Sequence, residues 1–295
     1  MQAPLFARYG VDERQFWAEV NALPDYYRKR GLEHISQESQ YLDHLITYAQ
    51  DGIFHDLNNA VLRELGREIR FYDGLPDFLG QLRARLAEHP GARQHEIKLE
   101  HYVVSTGLRQ MILGSAVAGY LDGVWACEFV EEVAPARFDR EAEPGGMPAG
   151  VIKQVGYSID NTTKTRAVFE INKGTNVNPG IDVNSAMALE DRRVPFQNML
   201  YVADGPSDVP VFSVVRNQGG RTYGVFKPGD EAELRQVKRL LSDARIDAFG
   251  EADYRPGSTT AMWIGQAVIE MADRITADRA QILESTVGKA PRHLV

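Results

Sequence analysis

The stretch "MLYVADGPSDVPVF", residues 199–212, decides how the chain is read. An apolar run from Met199 to Ala203 ends on a turn of Gly, Pro and Ser that holds two aspartates, Asp204 and Asp208, before a second apolar run begins. A strand that ends on a polar turn and enters a helix is the local pattern of a parallel sheet built from βαβ units. Ligands of such sheets sit beyond the carboxyl ends of the strands, so the residues just after each strand carry the chemistry. Two carboxylates so close repel each other unless a cation lies beside them, which makes Asp204 and Asp208 candidate metal ligands. Asp208 alone reads equally well as an anionic residue in a first helical turn.

Outward from this stretch, short apolar runs alternate with helical segments from about residue 71. The expected strands are "HYVVS", "VWACEFV", "NMLYVAD", "TYGVF" and "IDAFG", with helices near 77–87, 108–118, 164–173, 207–216 and 231–241. Asp230 with Glu233 after the "KPG" turn predicts a capping box for the last of these. Residues 1–70 are helical in pattern: Phe16, Trp17, Val20 and Leu23 share a face behind Asp12, an expected N-cap with Gln15 three residues on as a capping box, and two further helices follow. An amphipathic helix over about 260–275 closes the fold, the tail "ESTVGKAPRHLV" reads as loose, and "EAEPGGMPAG" at 141–150 as a flexible loop. The expected division is 1–70, a helical segment; 71–250, an α/β core; and 251–295, a terminal helix and tail.

Bulk properties narrow the function. The 295 residues are 43% hydrophobic, enough for a sizeable core, and the formal net charge is −8. No basic run offers a phosphate-neutralising patch, so nucleic acid is not the expected partner and a small metabolite is. The single cysteine, Cys127 in "VWACEFV", excludes an intrachain disulfide and reads as a small buried residue without a role. No apolar stretch is long enough for a membrane span, and a cytoplasmic location is expected.

Two further places stand out after strands. Ser105, Thr106 and Gly107 follow "HYVV", and a hydroxyl pair with a glycine entering a helix can grip a phosphate oxygen through side chain and backbone. Their plainer reading is a helix cap. Lys164 opens the helix "TKTRAVFEINKG", the end where helix dipoles favour anions, so a lysine there suggests an anion nearby; alone, it reads as a solvated surface charge.

Taken in order, these segments resemble the haloacid dehalogenase superfamily, chiefly phosphatases, and most of all its phosphoserine-phosphatase-like members. "VVSTG" is similar to the second family motif, which would make Ser105 the phosphate-binding hydroxyl with Thr106 and Gly107 supplying backbone contacts. "NTTKT" is similar to the third, in which Lys164 would neutralise the phosphoryl group. "VADGPSD" is similar to the fourth, with Asp204 a direct Mg²⁺ ligand, Asp208 a second or outer-shell one, and Ser207 a weaker candidate. The resemblance implies a doubly wound, mostly parallel α/β sheet, a HAD-like Rossmannoid core, with 1–70 as a helical cap. Tyr26, Tyr27, Arg28 and Lys29 in that segment would face substrate or, more plainly, solvent. "FYDGLPDFLGQLR" at 71–83 is where the chain returns from cap to core.

One departure qualifies the likeness. The family's first motif is a strand ending in Asp-x-Asp, whose leading aspartate attacks phosphorus, and no Asp-x-Asp occurs in these residues. The strand that would bear it is central in the family's sheet, between those ending at Ser105 and Asp204, so its absence would leave both neighbours with an open edge. One expectation is a chain that starts late, inactive as written, belonging to a Mg²⁺-dependent phosphatase of a small phosphomonoester. The alternative is a non-catalytic phosphate- or nucleotide-binding module of the same fold.

Overall fold

The protein, seen in a computed structural model, is described at residues 2–139 and 150–286. Most of the 141–150 loop and the tail beyond Thr286 lie outside the described residues. In chain order the elements are α1 (Ala3–Tyr9), α2 (Glu13–Arg28), α3 (Gln37–Gln50), α4 (Asn59–Leu65), α5 (Asp77–Glu88), α6 (Pro90–Gln94), β1 (Tyr102–Leu108), α7 (Arg109–Gly114), β2 (Gly123–Val130) and β3 (Gln154–Tyr157). Then follow α8 (Asn161–Lys173), β4 (Leu200–Ala203), α9 (Val209–Asn217), β5 (Arg221–Phe226), α10 (Glu231–Ser242), β6 (Ala248–Glu251) and α11 (Thr259–Thr286). The chain is thus α/β with small, mostly parallel sheets, and it divides into two compact units.

The first unit comprises 1–71 and 102–167. The helical segment read as a separate piece is therefore not compact by itself, and the reason lies in its apolar faces. Phe16, Val20, Leu42, Leu45, Leu57 and Leu62 pack in one core with Leu108, Met111, Cys127 and Phe129 from the strands and α7. Backbone bonds reinforce this: Ile152 donates to the Leu57 carbonyl at 2.9 Å, and Asn59 N–H donates to the buried Glu131 carboxylate at 2.6 Å. That carboxylate stands at the amino end of α4, where the helix dipole favours an anion. Helices α4 and α7 cross so closely that a Cβ on Gly114 would lie 1.8 Å from the Arg63 carbonyl oxygen. Here the sheet runs β1-β2-β3, with β1 and β2 parallel. Strand β3 is antiparallel to β2 and was not expected from the sequence, since only Val155 of its residues is a strong apolar signal.

The second unit comprises 72–101 and 168–295. Its sheet, β4-β5-β6, is fully parallel. Tyr223 and Val225 point to one face, where Phe78, Leu82, Ala261 and Ile264 of α5 and α11 cover them. Phe226 packs on the other face with Phe212, Val237 and Leu240 of α9 and α10. Helices on both faces are what a parallel sheet needs to bury its two apolar sides. Among the described residues β1 and β4 each pair with a single neighbour, so both are edge strands.

Helix starts follow the expected capping chemistry in part. Asp12 accepts from Arg14 N–H at 2.7 Å and Gln15 N–H at 3.1 Å, and Asp230 accepts from Ala232 and Glu233 N–H at 3.0 and 3.1 Å. The reciprocal half of each box is absent: Gln15 reaches forward to Glu19, and Glu233 accepts from Lys227 N–H instead. The terminal helix runs to 286, well past the expected end near 275.

Candidate functional site

The residues singled out in the first unit sit on a distorted strand and a helix start. Strand β1 does not end at Ser105. Pairing with β2 breaks after Val104↔Trp125 and resumes at Leu108↔Cys127, so Ser105, Thr106 and Gly107 face the single residue Ala126. Two extra residues on one strand make a bulge, which turns their groups out of the ladder. The ladder resumes at Leu108 because that side chain is fully buried in the core. Within the bulge the Ser105 hydroxyl oxygen accepts from Gly107 N–H at 3.0 Å. The expectation that this trio opens a helix is corrected: α7 begins only at Arg109, its N-cap position is Leu108, and no side chain caps it. Just beyond, Arg109 pairs with Glu128 at 2.8 Å, fixing the strand-to-helix corner.

Lys164 lies in the first turn of α8 and is 5% exposed, which removes the solvated-surface reading. The anion at that helix end is supplied by the chain itself. Asp160 Oδ1 accepts from Thr162 and Thr163 N–H at 2.8 and 2.7 Å, and the Thr163 hydroxyl oxygen accepts from Asp160 N–H at 2.6 Å. This reciprocal cap holds the Asp160 carboxyl below its ordinary range, chiefly through the backbone bond from Thr163. On the same side of the helix start, at positions one turn apart, the buried Asn161 Oδ1 and Thr165 Oγ1 have no hydrogen-bond partner among the described residues.

Cys127, read as inert filler, links the two segments. From the middle strand its thiol donates to the Thr106 carbonyl at 3.4 Å and accepts from Ile159 N–H at 3.4 Å. The bulge and the segment leading to Lys164 are thereby held on either side of β2. Burial pushes the thiol up from its ordinary value, as expected of a structural rather than reactive cysteine. No sequence signal beyond its apolar surroundings pointed to this bridging role.

In the second unit Asp204 directly follows β4 and is exposed, its carbonyl accepting from Gln236 Nε2 at 2.9 Å. Asp208 differs sharply: it is 3% exposed. Its Oδ1 accepts from the Tyr201 hydroxyl at 2.5 Å and its Oδ2 from the Ser207 hydroxyl at 3.0 Å. Burial first, and then the charge and hydrogen bond of Asp208, raise the Tyr201 phenol. Tyr254 is raised by burial and Tyr72 likewise, with the charge of Asp204 contributing to both. These three phenols near the aspartate turn were not identified from sequence, because tyrosines in "FYDG", "LYVA" and "DYRPG" read as strand or loop residues. The expected cap residues Tyr26, Tyr27, Arg28 and Lys29 end α2, where Arg28 pairs with Asp25 and the Tyr26 ring packs edge-on against Tyr27.

The donor set bears on the implied Mg²⁺. This ion keeps several waters and takes one or two protein carboxylates together with phosphate oxygens. An exposed Asp204 beside a buried, already hydrogen-bonded Asp208 fits one direct ligand and one outer-shell carboxylate. Among the described residues no group of three or more His, Cys, Asp or Glu is assembled that could hold a metal.

Fold and residues together define an α/β protein with two small, mostly parallel sheets, a polar bulge and a buried lysine in one unit, and an aspartate turn in the other. The chain belongs to the same family as an uncharacterized protein of Borreliella burgdorferi, with which it is 35% identical over 274 residues, 91% of each chain. No family model matches the chain, and no solved structure matches it. Among the described residues no helix is long and apolar enough to cross a membrane.

Proposed function

We propose that the chain handles a phosphoryl group and Mg²⁺ in the manner of a haloacid dehalogenase-type phosphatase acting on a small phosphomonoester. In this reading the parallel strands carry the HAD-like Rossmannoid pattern, and the N-terminal helices, which pack on β1 and β2, would take the place of the cap. The observation that carries the reading is the Cys127 bridge, which holds the Ser105–Gly107 bulge and the segment bearing buried Lys164 on either side of one strand. A buried ammonium presents positive charge where little water screens it, and a hydroxyl with turned-out backbone groups suits a phosphate oxygen.

The chain's own residues have distinct tasks in this scheme. Ser105 and the bulge backbone bind and orient phosphate oxygens. Lys164 offsets the negative charge that these oxygens carry, acting in a site where little water screens it. Asp204 would hold Mg²⁺ directly and Asp208, anchored by Tyr201 and Ser207, would hold its water shell. When bound, the ion would supply positive charge at that turn of the second unit. No attacking Asp-x-Asp carboxylate is present among these residues, so the chain alone is expected to bind without turnover. That separates it from the alternative of a pure binding module only through the source of a nucleophile.

The test is phosphate affinity in the full chain. Lys164→Met and Ser105→Ala should each weaken binding of inorganic phosphate by about tenfold or more, the scale of one charge-assisted hydrogen bond. Unchanged phosphate binding in both variants, with folding intact by circular dichroism, would refute the assignment.

A further inference from the structure

A second polar feature lies within the second unit, away from the aspartate turn. A cavity of ≈ 350 Å³ is lined by Arg216, Gly219, Gly220, Arg221, Asp247 and Arg274. These residues cluster around the amino ends of the parallel strands, since Arg221 opens β5 in register with Leu200, the first residue of β4. Asp204 follows the other end of β4, about 13 Å away for a four-residue strand at ~3.3 Å per residue. The cavity is therefore separate from the aspartate turn.

Three guanidiniums meet one carboxylate among the lining side chains. That carboxylate is already committed to the fold. Asp247 Oδ1 accepts from Arg216 Nε at 2.9 Å, and its Oδ2 accepts from Thr222 N–H and hydroxyl at 2.8 and 2.9 Å. Glu270, outside the lining, meets Arg221 only through Nη2 at 3.4 Å. Arg216 Nη1 donates to the Ala244 carbonyl at 2.8 Å. Arg274 donates Nη2 to Asn198 Oδ1 at 2.7 Å and to the Gln197 carbonyl. Each guanidinium is thus oriented by one edge of its fork while other donors of Arg216, Arg221 and Arg274 remain. The floor is a tight glycine turn: Gly219 has φ +85°, and a Cβ on Gly220 would come within 2.5 Å of the Phe196 carbonyl oxygen.

We propose that this cavity is an anion site that takes a phosphate-class oxyanion. Planar guanidinium forks match the spacing of two oxygens on one tetrahedral centre, and oriented arginines bind it with little further ordering. The site rests on none of Ser105, Lys164, Asp204 or Asp208.

The test is titration of inorganic phosphate into the full chain at fixed ionic strength, followed by amide chemical shifts of Gly219 and Gly220. Saturable shifts are expected, weakened about tenfold or more by Arg221→Gln and by Arg274→Gln, and unaffected by Lys164→Met or Asp204→Asn. Because Arg274 also anchors residues 197–198, Arg221→Gln is the decisive variant, and Arg221→Lys should recover only part of the affinity. Absence of saturable shifts at Gly219 and Gly220, or shifts that survive Arg221→Gln unchanged, would overturn the proposal. Loss of phosphate binding in Lys164→Met with these shifts intact would leave this site standing and bear on the other reading alone.

Discussion

The Tyr201 hydroxyl lies 2.5 Å from Asp208 Oδ1, one end of a strand reaching across its own turn to fix a buried carboxylate. This contact explains why two aspartates four residues apart take different roles. Asp208 is anchored by Tyr201 and Ser207, whereas Asp204 stands exposed where β4 ends. Removing the phenol deprives a buried carboxylate of a donor, so Tyr201→Phe should destabilise the second unit by about 1–3 kcal/mol. Chemical denaturation measures it, and a change below a few tenths would show that water replaces the phenol.

Cys127→Ala deletes the thiol between Thr106 and Ile159 and leaves a buried N–H without its acceptor. A loss of about 1–3 kcal/mol is expected by denaturant midpoint, with Cys127→Ser less damaging because a hydroxyl can make both bonds. The wild-type thiol, buried and raised, should react with an aromatic disulfide reagent only on unfolding; fast labelling of native protein would contradict its bridging place.

Gly114→Ala places a methyl where α4 and α7 touch backbone to backbone, 1.8 Å from the Arg63 carbonyl oxygen. Overpacking of this kind should cost about 1–3 kcal/mol or more, whereas alanine at exposed Gly119, where a Cβ meets nothing, should be near neutral. Equal effects at the two positions would contradict the close crossing.

Acid should loosen the first unit. Glu19, bonded by Tyr48 and His44, and Asp56, bonded by Tyr9 and Arg8, are both held below their ordinary values of 4.5 and 3.8. A carboxyl depressed in the folded state contributes stability that is complete above its unfolded value and is lost as pH falls through the folded one. Melting temperature should therefore decline from near pH 4.5 downward, and Glu19→Gln with Asp56→Asn should flatten that decline. A decline of the same slope in the double variant would place the acid sensitivity elsewhere.

Much of this was legible in the chain. Apolar runs marked β1, β2, β4, β5 and β6, because parallel strands buried on both faces leave continuous hydrophobic stretches. Strand β3 was not legible: "QVGY" pairs at a sheet margin, and tertiary pairing rather than composition makes it a strand. The helices of 1–70 announced themselves by period, but their membership of the same core as β1 and β2 depends on long-range burial that no local pattern encodes. Lys164 was found from its unexpected place in a first turn, while Asp160, the anion that caps that turn, was overlooked although it precedes two threonines. The basic cavity was invisible in sequence because Arg216, Arg221 and Arg274 come from three separate elements.

The central claim is that the Ser105–Gly107 bulge and Lys164 of the first unit hold a phosphoryl group, and titration of inorganic phosphate into the full chain, followed by the amide chemical shifts of Thr106 and Gly107, tests it most directly. The predicted result is saturable shifts at both amides, weakened about tenfold or more by Lys164→Met and by Ser105→Ala. Absence of saturable shifts there, or shifts unchanged in both variants, would contradict the account.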